Sequence, residues 1–316
     1  MQFLVTGGAG FIGSNLVDDL LLQGHEVVCL DNFDNYYDPA IKKSNISKAL
    51  SYSTYRLIEG DIRDKQVLKA IFSENKIDMV IHLAARAGVL PSVQNPELYY
   101  DVNVSGTLHL LESMRRAGVT KMIFASSSSV YGNNKTVPFS ESMLVDNPIS
   151  PYAASKKAGE LLCHIYYHLH RFDIFCLRFF TVYGPRQRPE MAIHYFVKSI
   201  LQGLPIKQFG EGNSQRDYTY ITDIVSGVMG AIKYLKGYEV INLGESQTIS
   251  LKELIAVIES VTRQKAIIKL LPQQAGDVDI TYADITKAKN IMGYTPSFPV
   301  VKGIELFVEW YKRNLL

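Results

Sequence analysis

The chain has 316 residues, 47% of them hydrophobic and 20% charged, with 33 basic against 31 acidic residues and a formal net charge of +2. This is the balance of an ordinary globular protein with room for two domains, without the basic footprint of a nucleic-acid binder. No apolar run reaches the roughly 18–20 residues that a bilayer span requires. Cys29, Cys163 and Cys176 are odd in number and lack CxxC or metal-ligand spacing, so they read as reduced, buried thiols, which fits the cytoplasm, and no metal is expected. QFLVTGG already reads as a strand entering a glycine turn, so a signal peptide is not expected either.

Short apolar runs at 2–6, 26–30, 79–83, 121–126 and 174–178 read as strands, and the segments near 11–23, 64–75, 98–117 and 152–171 read as helices. Buried runs separated by helices predict a parallel sheet covered on both faces. Beyond residue 184 the alternation fades among prolines and glycines. The fold class expected is α/β, with a first domain over 1–180 and a smaller mixed α/β domain over 181–316 that exchanges elements with it.

Between the first strand and helix, GGAGFIG presents Gly7, Gly10 and Gly13. Glycine lets the backbone turn tightly and approach a pyrophosphate at the helix N-terminus; close helix–strand packing is the competing explanation. An acid at the end of the second strand, Asp31, completes a Rossmann-type dinucleotide fingerprint. A carboxylate there accepts the adenosine ribose hydroxyls and repels a 2′-phosphate, which favours NAD over NADP. Asp61 and Ile62 in GDIRD are a candidate adenine contact or a plain turn, and HLAARAG offers small residues to a flat ring.

Tyr152 and Lys156 lie four apart on the helix that starts after Pro151, so both leave one face. An ammonium beside a phenol favours the phenolate and makes a usable base. Tyr131 and Lys135 have the same separation, but the intervening GNN favours a turn.

Together GGAGFIG, LDNF, GDIRD, HLAARAG, NVSGT, SSSSVYG, PYAASK, RFFTVYGPRQRPEMA, RDYTYITDIV and GDVDITYAD resemble the nucleotide-sugar epimerase and dehydratase branch of the extended short-chain dehydrogenase/reductase family. The resemblance implies a bound NAD held by Gly7, Phe11, Ile12, Asp31, Asn32, Asp61, Ile62, Leu83, Ala84, Ala85, Asn103, Tyr152 and Lys156. It also implies catalysis by Tyr152, Lys156 and Ser127, with Ser128 and Ser129 near the sugar. Dehydratases carry an acid pair at the positions of Ser128 and Ser129, and decarboxylases carry a glutamate at Ser129; neither is present here, so an epimerase fits best. In that chemistry Tyr152 removes the sugar 4-hydroxyl proton while hydride leaves C4 for NAD, the 4-keto sugar turns over, and both return.

RFFTVYGPRQRPEMA is similar to the matching segment of the UDP-glucuronate 4-epimerase group. The similarity implies that Arg188 grips the sugar carboxylate, with Arg186 as the alternative; bidentate guanidinium–carboxylate pairing gives the physical reason. Thr181 matches the same group. By resemblance Arg216 binds the UDP diphosphate, Asp277 the uridine ribose and Phe209 borders the uracil, against readings as an ion pair, a turn residue and core packing. UDP-glucose or UDP-N-acetylhexosamine 4-epimerases and a non-catalytic NAD-binding regulator are the alternatives. A homodimer through the helices near 98–117 and 152–171 is expected, with Leu161, Leu162 and Tyr166 as candidates for the interface or the core.

Overall fold

Short strands buried on both faces set the architecture of the first lobe, as the computed structural model shows for the described residues, 1–272 and 278–316. In chain order they are β1 (Gln2–Thr6), α1 (Phe11–Leu22), β2 (Glu26–Asp31), α2 (Pro39–Asn45), β3 (Tyr55–Glu59), α3 (Lys65–Glu74) and β4 (Met79–His82). Next come the short helices α4 (Val89–Gln94) and α5 (Pro96–Tyr100), then α6 (Thr107–Ala117), β5 (Lys121–Ser127), α7 (Pro151–His170) and β6 (Asp173–Phe179). Every residue of β4, and all of β1 and β5 after the first, is buried. Helices must therefore cover both faces of the sheet.

The second lobe is built from β7 (Thr181–Tyr183), α8 (Ala192–Leu201), β8 (Pro205–Phe209), β9 (Gln215–Arg216), β10 (Tyr218–Tyr220) and α9 (Ile221–Tyr234). It continues through β11 (Tyr238–Leu243), β12 (Ile249–Ser250), α10 (Leu251–Thr262), β13 (Ile267–Leu271), α11 (Thr286–Met292) and α12 (Val300–Leu315). Apart from β11, its strands pair in twos, β10 with β7, β12 with β9 and β13 with β8.

The main sheet is seven-stranded and parallel, in the order β11-β6-β5-β4-β1-β2-β3. The strand order reverses between β1 and β4. In doubly wound sheets a crevice opens there, beyond the carboxyl ends of the strands. Strand β11 comes from beyond residue 181 yet pairs with β6, and α9 packs on α1.

Three elements differ from the sequence expectation. Strand β3 is a half-exposed edge, YRLIE, whose mixed pattern lacks a continuous apolar run. Strand β11, YEVINL, is buried only in its second half and lies where regular alternation had faded. The expected helix near 98–117 is divided into α5, a widened π-helical turn over Asp101–Gly106, and α6. That turn points Asn103 inward, where its side chain bonds the Arg86 amide at 2.8 Å, the Arg86 carbonyl at 2.9 Å and Ser155 Oγ at 2.9 Å.

One buried carboxylate organises the second lobe. Asp217 accepts hydrogen bonds from the amides of Glu245 (2.7 Å), Ser246 (3.0 Å) and Ala283 (3.1 Å) and from the Thr219 hydroxyl (3.2 Å). Beside it, burial together with Asp223 and Asp217 pushes the half-buried Glu245 carboxyl up to about 8. A carboxyl raised on folding binds more protons folded than unfolded, so its contribution is full below the unfolded value of 4.5 and is lost as pH climbs towards 8. Glu245→Gln removes that loss. Its melting temperature, followed by thermal unfolding, should pull ahead of wild type progressively between pH 5 and 8.

Candidate active site

A cavity of about 370 Å³ occupies the crevice, lined by the glycine loop, the ends of β2, β4 and β5, the face of α7 and the segment after β6. Gly7 sits at φ +71°, and a Cβ on Gly13 would lie 2.2 Å from the Gly7 carbonyl oxygen. Those two glycines are required by the turn and by helix–strand packing. Gly10 is different: a Cβ there would meet only the Gly7 oxygen, at 3.2 Å, and the residue lines the cavity. Gly10 is also the N-cap of α1, with no side-chain capping bond. The helix therefore offers its first amides, and its positive end, to an anion approaching over Gly10.

Asp31, 4% exposed, receives the Ala9 amide at 3.2 Å, the Phe33 amide at 2.9 Å and the Lys42 ammonium at 3.0 Å. A carboxylate has about four acceptor positions, so one remains, next to a lysine with further protons to give. Acceptor and donor side by side suit a ribose diol. Asn32 donates to Asp61 at 2.9 Å, and Asp61, held by Arg63 as well, sits at about 2 despite partial burial. It is fully ionised, with Ile62 beside it on the cavity wall. Leu83, Ala84 and Ala85 follow β4 along the cavity. Cradle, uncapped helix and ribose acceptor together fit a dinucleotide.

At the other end, Tyr152 and Lys156 of α7 and Ser127, Ser128 and Ser129 at the end of β5 share the cavity wall. Ser150 caps α7 through the Ala153 amide at 3.1 Å, and Pro151 opens its first turn. The Lys156 ammonium donates to the Ala125 carbonyl at 2.7 Å, and burial pushes it down to about 8. It is still charged at neutral pH. Burial raises the Tyr152 phenol, opposed by hydrogen bonding with Ser127 and by the charge of Arg188. The Lys156 ammonium is meanwhile anchored to the β5 backbone through the Ala125 carbonyl and keeps its positive charge. Ser127 Oγ also donates to Ser129 Oγ at 3.1 Å. Ser126 turns away, donating to Glu160 at 2.7 Å.

The segment after β7 carries the arginines. Arg188 lines the cavity, with Nε 3.0 Å from Glu190 and its guanidinium 5.7 Å from the centre of the Tyr36 ring. Arg186 instead reaches back to Asp18 of α1 at 2.8 Å, and Asn15 donates to the Pro185 carbonyl at 3.3 Å. Thus the loop bearing Arg188 is tied to the helix whose N-terminus closes the glycine cradle. Thr181 lines the same wall.

Not every expected residue comes to the cavity. Asn103 lies outside its described lining and acts on the Arg86 backbone and on Ser155. Phe209, at the end of β8, and Arg216, which donates to the Gln215 carbonyl at 2.9 Å, are outside its described lining. Asp277 lies outside the described residues. Conversely, Tyr36, Tyr37, Lys42, Arg86 and Met191 line the cavity without having been singled out. The usable signal was NYYD and the lysine close behind Asp31 in the chain, polar and aromatic residues in a loop entering the cofactor side.

Sheet order, glycine cradle and a tyrosine–lysine pair facing one cavity define the short-chain dehydrogenase/reductase class. A family model described as GDP-mannose 4,6 dehydratase matches residues 4–307, and the chain belongs to that family, within the nucleotide-sugar epimerases and dehydratases. The chain is 44% identical over 314 residues to a UDP-glucuronate 4-epimerase of Thermodesulfobacterium geofontis, covering 99% of this chain and 97% of the relative. It superposes with TM-score 0.94 and 37% identity on the Bacillus cereus UDP-glucuronic acid 4-epimerase in complex with UDP-glucuronic acid and NAD, covering 99% of both chains. The UDP-glucose 4-epimerase of Thermotoga maritima matches with TM-score 0.93 at 33% identity, over 100% of both chains.

Arg186 Nη1 and Asp18 Oδ1 are both buried with no further partner among the described residues. Truncating one member strands the other charge, so Arg186→Ala should lose on the order of 2 kcal/mol in urea unfolding. The double variant R186A/D18A should lose less than the sum of the single changes.

Proposed function

We infer that the chain is a UDP-glucuronate 4-epimerase that interconverts UDP-glucuronate and UDP-galacturonate. The observation that carries this reading is the meeting of Ser127, Tyr152 and Lys156 with Arg188 in one cavity. The first three residues supply proton chemistry at a sugar hydroxyl. Arg188 supplies a planar, two-donor grip on a carboxylate close enough to Tyr152 for its charge to act on the phenol.

NAD is the cofactor we assign, over Gly10 and the α1 N-terminus, with its adenosine ribose at Asp31 and Lys42. When bound it accepts a hydride from the sugar C4 and returns it, so the reaction has no net redox. Tyr152 takes the 4-hydroxyl proton as the hydride leaves and gives it back to the inverted centre. Ser127 hydrogen-bonds the reacting hydroxyl and Tyr152, which aligns the proton path. Lys156 keeps positive charge behind the phenolate and stays fixed through the Ala125 carbonyl. Thr181, Ser128 and Ser129 are assigned to the sugar, and Arg216, Phe209 and Asp277 to the nucleotide.

The same reading covers organisation. The cofactor domain is 1–180 with α9 and β11 returned to it, and the remainder of 181–316 carries the nucleotide sugar. A homodimer is supported by exposed Leu161, Ile165 and Leu169, which recur every four residues along α7. Tyr166, 5% exposed and bonded to Glu112 at 2.6 Å, belongs to the subunit's own core. No helix of the described residues is long and apolar enough to cross a membrane. The three free, buried thiols suit a cytoplasmic location.

Tyr152→Phe keeps the ring and removes the proton carrier. It should bind UDP-glucuronate normally while turnover falls by roughly a thousandfold, read by chromatography of UDP-galacturonate formed without added NAD. A variant that epimerises at near-normal rate would refute the assignment of the base.

A further inference from the structure

Arg86 and Arg188 both lie against one aromatic ring. The guanidinium carbon of Arg86 is 4.9 Å from the centre of the Tyr36 ring and that of Arg188 is 5.7 Å from it. Both distances fall within the range where a ring quadrupole attracts a cation. Two like charges at one ring would repel, but each has its own carboxylate, Asp34 for Arg86 and Glu190 for Arg188. The two halves are not equally fixed. The backbone of Arg86 is held on both sides by Asn103, which also bonds Ser155 on the catalytic helix, one turn from Tyr152. Its side chain is mostly buried, and its Nε has no partner among the described residues. Glu190 is 40% exposed and pairs with Arg188 at 3.0 Å from its Nε, a part-exposed contact of the sort that contributes little.

We propose that Tyr36 and Arg86 are the residues that position Arg188 for carboxylate recognition, and that Glu190 holds the place the substrate carboxylate takes. The proposal rests on the UDP-glucuronate reading above and extends it to specificity. Arg86 is the fixed member, Tyr36 lies on it, and Arg188 lies on Tyr36. An incoming sugar carboxylate replaces Glu190 on Arg188 without net change in charge. A neutral hexose offers no such exchange and leaves the Arg188–Glu190 pair in place. The loop that follows Asp31 thereby takes part in reading the substrate at the opposite end of the cavity.

The test compares Tyr36→Leu, Tyr36→Phe and Glu190→Gln in the holoenzyme. It reads KM and kcat for UDP-glucuronate and the inhibition constant of UDP-glucose. Tyr36→Leu should raise KM for UDP-glucuronate about tenfold, more than it lowers kcat, and should leave the UDP-glucose constant within twofold. Tyr36→Phe, which keeps the ring, should restore KM. Glu190→Gln should lower KM for UDP-glucuronate severalfold because Arg188 no longer has a competitor. Equal effects of Tyr36→Leu on both nucleotide sugars, or no rescue by Phe, would overturn the proposal. If Tyr36→Leu fails to fold, Glu190→Gln decides alone, and an unchanged or raised KM overturns it. Wild-type enzyme that does not turn over UDP-glucuronate would instead overturn the parent reading.

Discussion

The docking of α7 onto β5 and β6 is the constraint on which the site depends. Glu160, one turn beyond Lys156, accepts two bonds from the Arg178 guanidinium, both at 2.8 Å, and a third from Ser126 at 2.7 Å. Both charged side chains are almost wholly buried, and the Arg178 guanidinium also lies 4.8 Å from the Tyr131 ring centre. A buried bidentate pair has little net effect against an apolar alternative, but it is intolerant of losing one partner, at about 3–5 kcal/mol. Such a pair fixes register. It sets α7 against the strand that ends in Ser127, and Lys156 on Ala125 adds a second tie a turn away. Tyr152 and Ser127 thus face one another because helix and strand are locked behind them.

That lock connects the two lobes of the chemistry. Asn103 joins α7, through Ser155, to the loop carrying Arg86. Arg186 joins the loop carrying Arg188 to α1. The cofactor cradle, the proton carrier and the carboxylate grip are therefore referenced to the same parallel sheet. Arg86 and Arg188 sit on loops, and these side-chain bonds fix both loops to helices packed on that sheet.

Much of this was legible in the sequence because the requirements are local. Gly7 and Gly13 mark a turn and a close approach that no other residue allows, and four-residue spacing after a proline places Tyr152 and Lys156 on one face. The central strands show themselves as uninterrupted apolar runs. Edge strands β3 and β11 do not, since each is only partly covered. The Tyr36 contacts join residues 50 and 152 positions apart, and Glu160–Arg178 looks like a surface helix glutamate and a strand-end arginine until the fold brings them together. Helical spacing likewise shows which side chains are neighbours, but not that Lys156 also reaches the Ala125 carbonyl of β5.

Burial raises the Tyr152 phenol, while hydrogen bonding with Ser127 and the charge of Arg188 oppose that rise; in the proposed function the charge of Lys156 completes the return to a usable base. This balance is the central claim. It is tested most directly by titrating the phenol in the NAD-loaded protein, from the ultraviolet difference spectrum between wild type and Y152F, with and without Lys156→Met. The account predicts that phenolate forms at least one pH unit higher once the ammonium is gone. Phenolate appearing at the same pH in both proteins would contradict it and leave Lys156 only a structural tie between α7 and β5.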